Sequence, residues 1–192
     1  VALAARDRGD LEAARRELAA LAGDFPGSHV PPALLGEIDY RSERLEAARA
    51  AFDRAVQIKQ DYVRGFRYLA VIDLRLGRRQ SAVRWASRGL AIDADDPELL
   101  YLSGARVEPH DPATAQALAA LAFEVGDSAG AAAVLDRGLA RWPEQRSFYP
   151  SRVKVALQGG DDATVRRVVA AWRQRFPHDA EALELSRRLG ID

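Results

Sequence analysis

Apolar positions in this chain recur at intervals of three and four residues, in paired short runs separated by a polar turn. In PALLGEIDYRSERLEAARAAFDRAVQIK, residues 32–59, Leu35, Ile38 and Leu45 share one face, and Ala48, Phe52 and Ala55 then recur at four and three. That spacing predicts helix, turn, helix. Three stretches repeat one pattern: GDLEAARRELAALAGDFP (9–26), GDSAGAAAVLDRGLARWP (126–143) and GDDATVRRVVAAWRQRFP (160–177), with Gly and Pro 17 positions apart in each. Gly reaches a positive φ without steric cost, which suits the turn. Asp10, Asp127 and Asp161 follow at once, each a short acceptor able to cap the next helix. The aromatic residue before Pro is pushed out of helical geometry, which stops it.

The pattern has a period. From Gly9, steps of 34 reach Glu43 and Gly77, and Gly126 and Gly160 are again 34 apart. A period of this length marks a stack of helix pairs, each burying its apolar face against its neighbours. One gap breaks the rhythm, because the marker after Gly77 arrives 15 residues late. The stretch responsible is PELLYLSGARVEPHDP, 97–112, where Leu99, Leu100, Leu102, Gly104 and Val107 read as a first helix stopped by Pro109 and Pro112. The chain is thus expected to carry one irregular extra helix near 97–111, with a break in the superhelix or a join between two sub-arrays there.

At this point the sequence resembles the tetratricopeptide repeat (TPR) family. That family keeps small residues at three sites where its paired helices touch. Here those sites hold Gly36, Ala70 and Ala119; Ala14, Ala48, Ala82 and Ala131; and Ala55, Gly89 and Gly138. Its larger residues correspond to Phe66 and Tyr149, to Leu35, Leu69 and Leu118, and to Leu18, Phe52 and Leu135, and its proline to Pro26, Pro143 and Pro177. The sequence departs at Gln60 and Ala94 in the proline position and at Leu21 and Trp172 in the last small site. The resemblance implies an all-α, right-handed α-solenoid of antiparallel helix pairs, about five repeats of 34 residues forming a single superhelical domain over 1–192. The first repeat is read as truncated at Val1, with further sequence expected upstream.

Composition narrows the function. With 48% apolar and 29% charged residues the chain reads as a folded domain. Its formal net charge of zero points to neither nucleic acid nor a membrane surface. No run approaches the roughly 20 apolar residues of a membrane span, so no direct membrane insertion is expected. Absence of cysteine removes disulfides, thiolate zinc sites and a cysteine nucleophile, and leaves the compartment open between bacterial cytoplasm and periplasm. A bacterial origin is inferred from arginine outnumbering lysine 26 to 2 and from the lack of any asparagine.

Candidate chemistry is sparse. His29, His110 and His178 are far apart and show no helical metal spacing. Asp93, Asp95 and Asp96 lack the later Gly and bidentate Glu of a calcium loop and read instead as a turn capping a helix at Pro97. The glycines follow the repeat and form no phosphate-cradling cluster, and no serine sits in a nucleophile elbow. A non-catalytic protein without cofactor is expected.

Charge is unevenly spread. Residues 64–88 hold seven arginines against Asp73 alone, and residues 93–111 hold six acids against Arg106 alone. The resemblance places Arg64, Arg67, Val71, Leu74 and Arg75 on the wall of a concave groove, with Tyr68 beside them and Tyr40, Tyr101 and Lys154 lining the same surface. It implies a scaffold holding a partner protein or peptide there, and arginine forks suit carboxylates, so an acidic partner is expected. In the competing reading Arg67 is bound to a neighbouring acid such as Glu98 or Asp95. The family's best-known clamp on a terminal carboxylate needs asparagines that are absent here. Two other roles stay open: a non-catalytic module of a larger bacterial enzyme, such as a transferase, or envelope export assembly, and homo-oligomerisation through an uncapped repeat end.

Overall fold

A computed structural model describes residues 11–105 and 107–191. Among them the regular structure is entirely α-helical, and the chain divides into two compact units, Val1–Arg106 and Val107–Asp192. Asp10, expected as a cap, lies outside the described residues.

The first unit contains α1 (Leu11–Asp24), α2 (Val30–Arg41), α3 (Leu45–Ile58), α4 (Val63–Arg75), α5 (Arg79–Leu90) and α6 (Pro97–Leu102). Helices α2 and α3 form one antiparallel pair and α4 and α5 the next; α3 packs on α4, and α6 packs on α5 and reaches back to α4. The second unit contains α7 (Pro112–Glu124), α8 (Ser128–Arg141), α9 (Phe148–Gln158), α10 (Asp162–Arg175) and α11 (Ala180–Leu189). It pairs α7 with α8 and α9 with α10, and stacks α11 on α10.

The close-contact residues sit where the repeat pattern places them. Ala14, Ala48, Ala82 and Ala131 are fully buried. A Cβ on Gly36 would stand 2.8 Å from the ring of Phe52, one on Gly89 2.6 Å from Leu99, and one on Gly138 3.0 Å from Phe148. These glycines let a large side chain lie directly on a neighbouring backbone. Around them Phe52, Val56, Phe66, Leu69 and Ile72 form the core of the first unit. Tyr149, Val153, Val165, Val169 and Trp172 do so in the second.

Turns within the pairs share one closure. Gly77, Gly126 and Gly160 have φ of 75°, 82° and 67°, and Glu43, which replaces glycine in the period, adopts 59°. The next amide donates to a carbonyl five residues back: Arg44 to Asp39, Arg78 to Asp73, Asp127 to Ala122 and Asp161 to Ala156. This is a Schellman-type termination. In the second unit the Asp side chains then cap, Asp127 accepting from the Gly130 amide and Asp161 from that of Thr164. The aromatic stops also hold, since Trp142 and Phe176 leave the helix at φ of −131° and −127°.

The segment at 97–111 requires a correction. Helix α6 runs for only six residues and is stopped by Gly104 at φ 90°, with Ala105 donating to the Leu100 carbonyl, so neither proline terminates it. Pro112 instead opens α7, where a missing N–H costs nothing. Asp96 caps α6 by accepting from the Leu99 amide, as the acidic turn predicts.

Two buried carboxylates tie the first unit together. Asp39, on α2, accepts from Arg15 of α1 at 2.6 Å and from Arg44 at 2.9 Å, and Glu12 pairs with both arginines. One period on, Asp73, on α4, accepts from Arg49 of α3 at 2.7 Å and from the Trp85 indole at 3.0 Å, while Arg78 pairs with Glu46. Each acid thus links its own helix to the preceding pair and to the turn that follows. An inward carboxylate is tolerable only with such donors.

Two outcomes follow from this packing. Ala82→Leu should lower stability by about 1–3 kcal/mol through overpacking at the α4–α5 crossing, read as a lower chemical-denaturation midpoint. Acid should also unfold the protein, because Thr114 and Thr164 hold the carboxyls of Asp111 and Asp161 below the usual range, and Arg146 does so for Asp179. A carboxyl with a depressed folded pKa contributes fully above its unfolded pKa and loses that contribution as pH falls through the folded value. The melting temperature should therefore hold near neutrality and fall below about pH 4, and the Asp161→Asn variant should show a shallower fall.

Candidate functional site

The first helix of each pair presents a face that its partner does not cover. In the first unit this face is aromatic and basic. The Tyr68 ring stacks on Phe52 at 4.4 Å and meets Tyr40 edge-on at 5.5 Å, bridging α4 to α2 and α3. Arg64 lies over Tyr68 at 5.6 Å and Arg75 over Tyr40 at 5.2 Å. Four of the expected residues, Tyr40, Arg64, Tyr68 and Arg75, therefore form one cluster.

The arginines are also bound within the chain. Arg64 is 3.1 Å from Glu37 and keeps 56% of its side chain exposed. Hydrogen bonding to Tyr68, then the Glu37 charge, raises its pKa. Arg75 pairs with Glu43 and is 22% exposed, its pKa raised first by Tyr40 and then by Glu43. Arg67 points away from this cluster toward α6, 2.8 Å from Asp96 and 2.9 Å from Glu98. Val71 is buried and Leu74 half-buried, so they add little polar surface. Tyr101 lies half-buried on α6.

Lys154 belongs to the second unit, on α9, with its ammonium 4.8 Å from the Phe123 ring. Beside it a cavity of about 340 Å³ opens between α7 and α9, lined by Gln116, Ala120, Phe123, Leu135, Lys154 and Val155. Gln116 donates to the Ser151 hydroxyl at 2.6 Å, and its buried carbonyl oxygen has no donor. Gln116, Ala120 and Phe123 occupy the places in their period that Arg67, Val71 and Leu74 occupy in theirs. The same register, carried one helix pair further, identifies them in the sequence.

No group of three or more His, Cys, Asp or Glu able to hold a metal occurs among the described residues. His29 begins α2, its ring 5.1 Å from Tyr62. No described helix is long and apolar enough to cross a membrane.

Paired helices, close-packed small residues and left-handed turns define the class of fold, a TPR-like helical-pair architecture. Comparison with solved structures agrees. The chain resembles a tetratricopeptide repeat protein from Parabacteroides merdae, at 16% identity and a TM-score of 0.59, over 99% of this chain and 83% of that one. It resembles PilW, a type IV pilus biogenesis factor, at 16% identity and a TM-score of 0.57 with the same coverage. It also resembles a chain of the APC/C hetero-tetramer Cut9–Hcn1, at 16% identity and a TM-score of 0.55, covering 98% of this chain and 35% of that one. No known family profile and no curated protein matches the sequence.

Charge reversal at Arg67 tests how far this face serves the fold. Arg67→Glu would place a third carboxylate beside Asp96 and Glu98 and should lower stability by about 1–3 kcal/mol, with part of the loss recovered at high salt. A thermal melt at two ionic strengths reads both effects.

Proposed function

We propose that this chain is a scaffold that holds a partner protein or peptide against the first-helix faces of its helix pairs. The observation that carries the reading is the cavity between α7 and α9, about 340 Å³ and mainly apolar, with Lys154 at its rim. Its volume suits one large apolar side chain, and sites of this kind pair apolar walls with a few placed polar groups. The ammonium lies over the Phe123 ring, and Glu124 also lines the cavity. An apolar anchor flanked by an acidic residue fits the apolar walls and the ammonium. In the first unit Arg64, the most exposed of the groove arginines, offers a second contact for an acid, with Tyr40, Tyr68 and Arg75 holding its surroundings. Arg67, held by Asp96 and Glu98, and the half-buried Tyr101 on α6 stand beside that face.

Selection from a displayed peptide library on the 192-residue protein tests the reading. Enriched peptides should combine a large apolar residue with an acidic neighbour. Ala120→Trp, which fills the cavity mouth from an exposed position, should abolish their binding. Lys154→Glu should slow association and weaken affinity by about tenfold at low salt. Peptides that bind both variants as tightly as the parent would exclude this site.

A further inference from the structure

Seven arginines crowd residues 64–88, and the structure accounts for five of them. Arg64, Arg67, Arg75 and Arg78 each pair with a carboxylate, and Arg88 lies over the rings of Phe66 and Trp85 at 4.8 and 4.9 Å. Arg79 and Arg84 remain, both exposed and without an acidic partner among the described residues. They share one open surface depression, lined also by Arg49, Arg78, Gln80 and Ser81 and by no carboxylate.

We infer that this depression binds a phosphoryl group carried on a larger polar molecule. Its four arginines are unequally committed. The charge of Arg49 is matched by buried Asp73, and that of Arg78 by Glu46. Arg79 and Arg84 leave two positive charges facing the space, the complement of a phosphoryl dianion, which carries about −1.5 to −2 at neutral pH. A carboxylate fills one guanidinium fork, whereas a phosphoryl group has three acceptor oxygens and can engage two forks together. Arg49 and Arg78 are held in place by their own acids, so half of the basic wall is ordered before any ligand arrives. Gln80 and the half-buried Ser81 add neutral polar groups. The site opens widely to solvent, so a phosphoryl group can enter it while still attached to a larger polar molecule. None of the lining residues belongs to the first-helix face, so this site is independent of the scaffold reading.

The full 192-residue protein would be titrated at low salt with three probes: the peptide Gly-Gly-phosphoSer-Gly-Gly, its counterpart with Glu in place of phosphoserine, and inorganic pyrophosphate. Backbone amide shifts and calorimetry give the readout. The phosphate-bearing probes should shift Gln80 and Ser81 and bind about tenfold or more tighter than the Glu peptide, as double-fork engagement requires. Arg79→Ala and Arg84→Ala should each weaken them by a similar factor while the melting temperature stays constant. A phosphopeptide that outcompetes pyrophosphate identifies a phosphorylated protein as the source, and the reverse identifies a small phosphate compound. The inference is overturned if the Glu peptide binds as tightly as the phosphopeptide, if both arginine variants keep full affinity, or if no shift appears at millimolar probe.

Discussion

Everything in these two units depends on how closely the two helices of a pair approach. At the crossings the contact is made by Ala14, Ala48, Ala82 and Ala131, and by glycines that receive Phe52, Leu99 and Phe148 on bare backbone. Small residues bring the axes together, and the large residues beside them then fill the space between one pair and the next. The stack needs no long-range wiring, because each helix finds its partners among its chain neighbours. This local character leaves the first-helix faces uncovered and free to carry other chemistry.

The neutral total charge hides a structural use of ions. Arg15, Arg44, Arg49 and Arg78 serve two inward carboxylates, Asp39 and Asp73, in the first unit. The second unit reverses the arrangement at one point: buried Arg152 is bound by the more exposed Asp136. Capping divides the same way. The turns at Gly126 and Gly160 are followed by aspartates that cap the next helix, whereas those at Glu43 and Gly77 are followed by arginines that reach back to the buried acids. One residue position in the turn therefore does either of two jobs.

Features that depend on local spacing could be read in the sequence. Among the described residues, the turn markers, the small contact sites, the aromatic stops and the Asp96 cap lie where the period and turn chemistry put them. Features that depend on partners in another helix pair could not. Asp39 and Asp73 stand among mostly apolar helical neighbours, and nothing near them in sequence names Arg15 and Arg49 as the donors that reach them. Arg67 is bound to Glu98, one of the two acids expected in the competing reading, and to Asp96 in place of Asp95, because the cap at Asp96 turns that side chain inward. The length of α6 was hidden because Gly104 can end a helix as readily as the prolines that follow it. Of the candidate site, the Tyr40–Tyr68 face was legible as a cluster; the register places Gln116, Ala120 and Phe123, but the cavity beside them was not legible, since nothing in its composition departs from an ordinary apolar helix.

The doubled ion network has a consequence for how such a chain can change length. Glu12, Arg15, Asp39 and Arg44 stand 34 residues ahead of Glu46, Arg49, Asp73 and Arg78, role for role. Excising residues 39–72, one full period, would bring Asp73 against Arg15 and Arg78 against Glu12 and so close the quartet again, but it would take Arg64 from Glu37 and Arg67 from Asp96. Duplicating the same stretch would add one complete quartet. Whole periods can thus be added with the quartet intact, whereas an insertion out of phase with the period strands a carboxylate in the core.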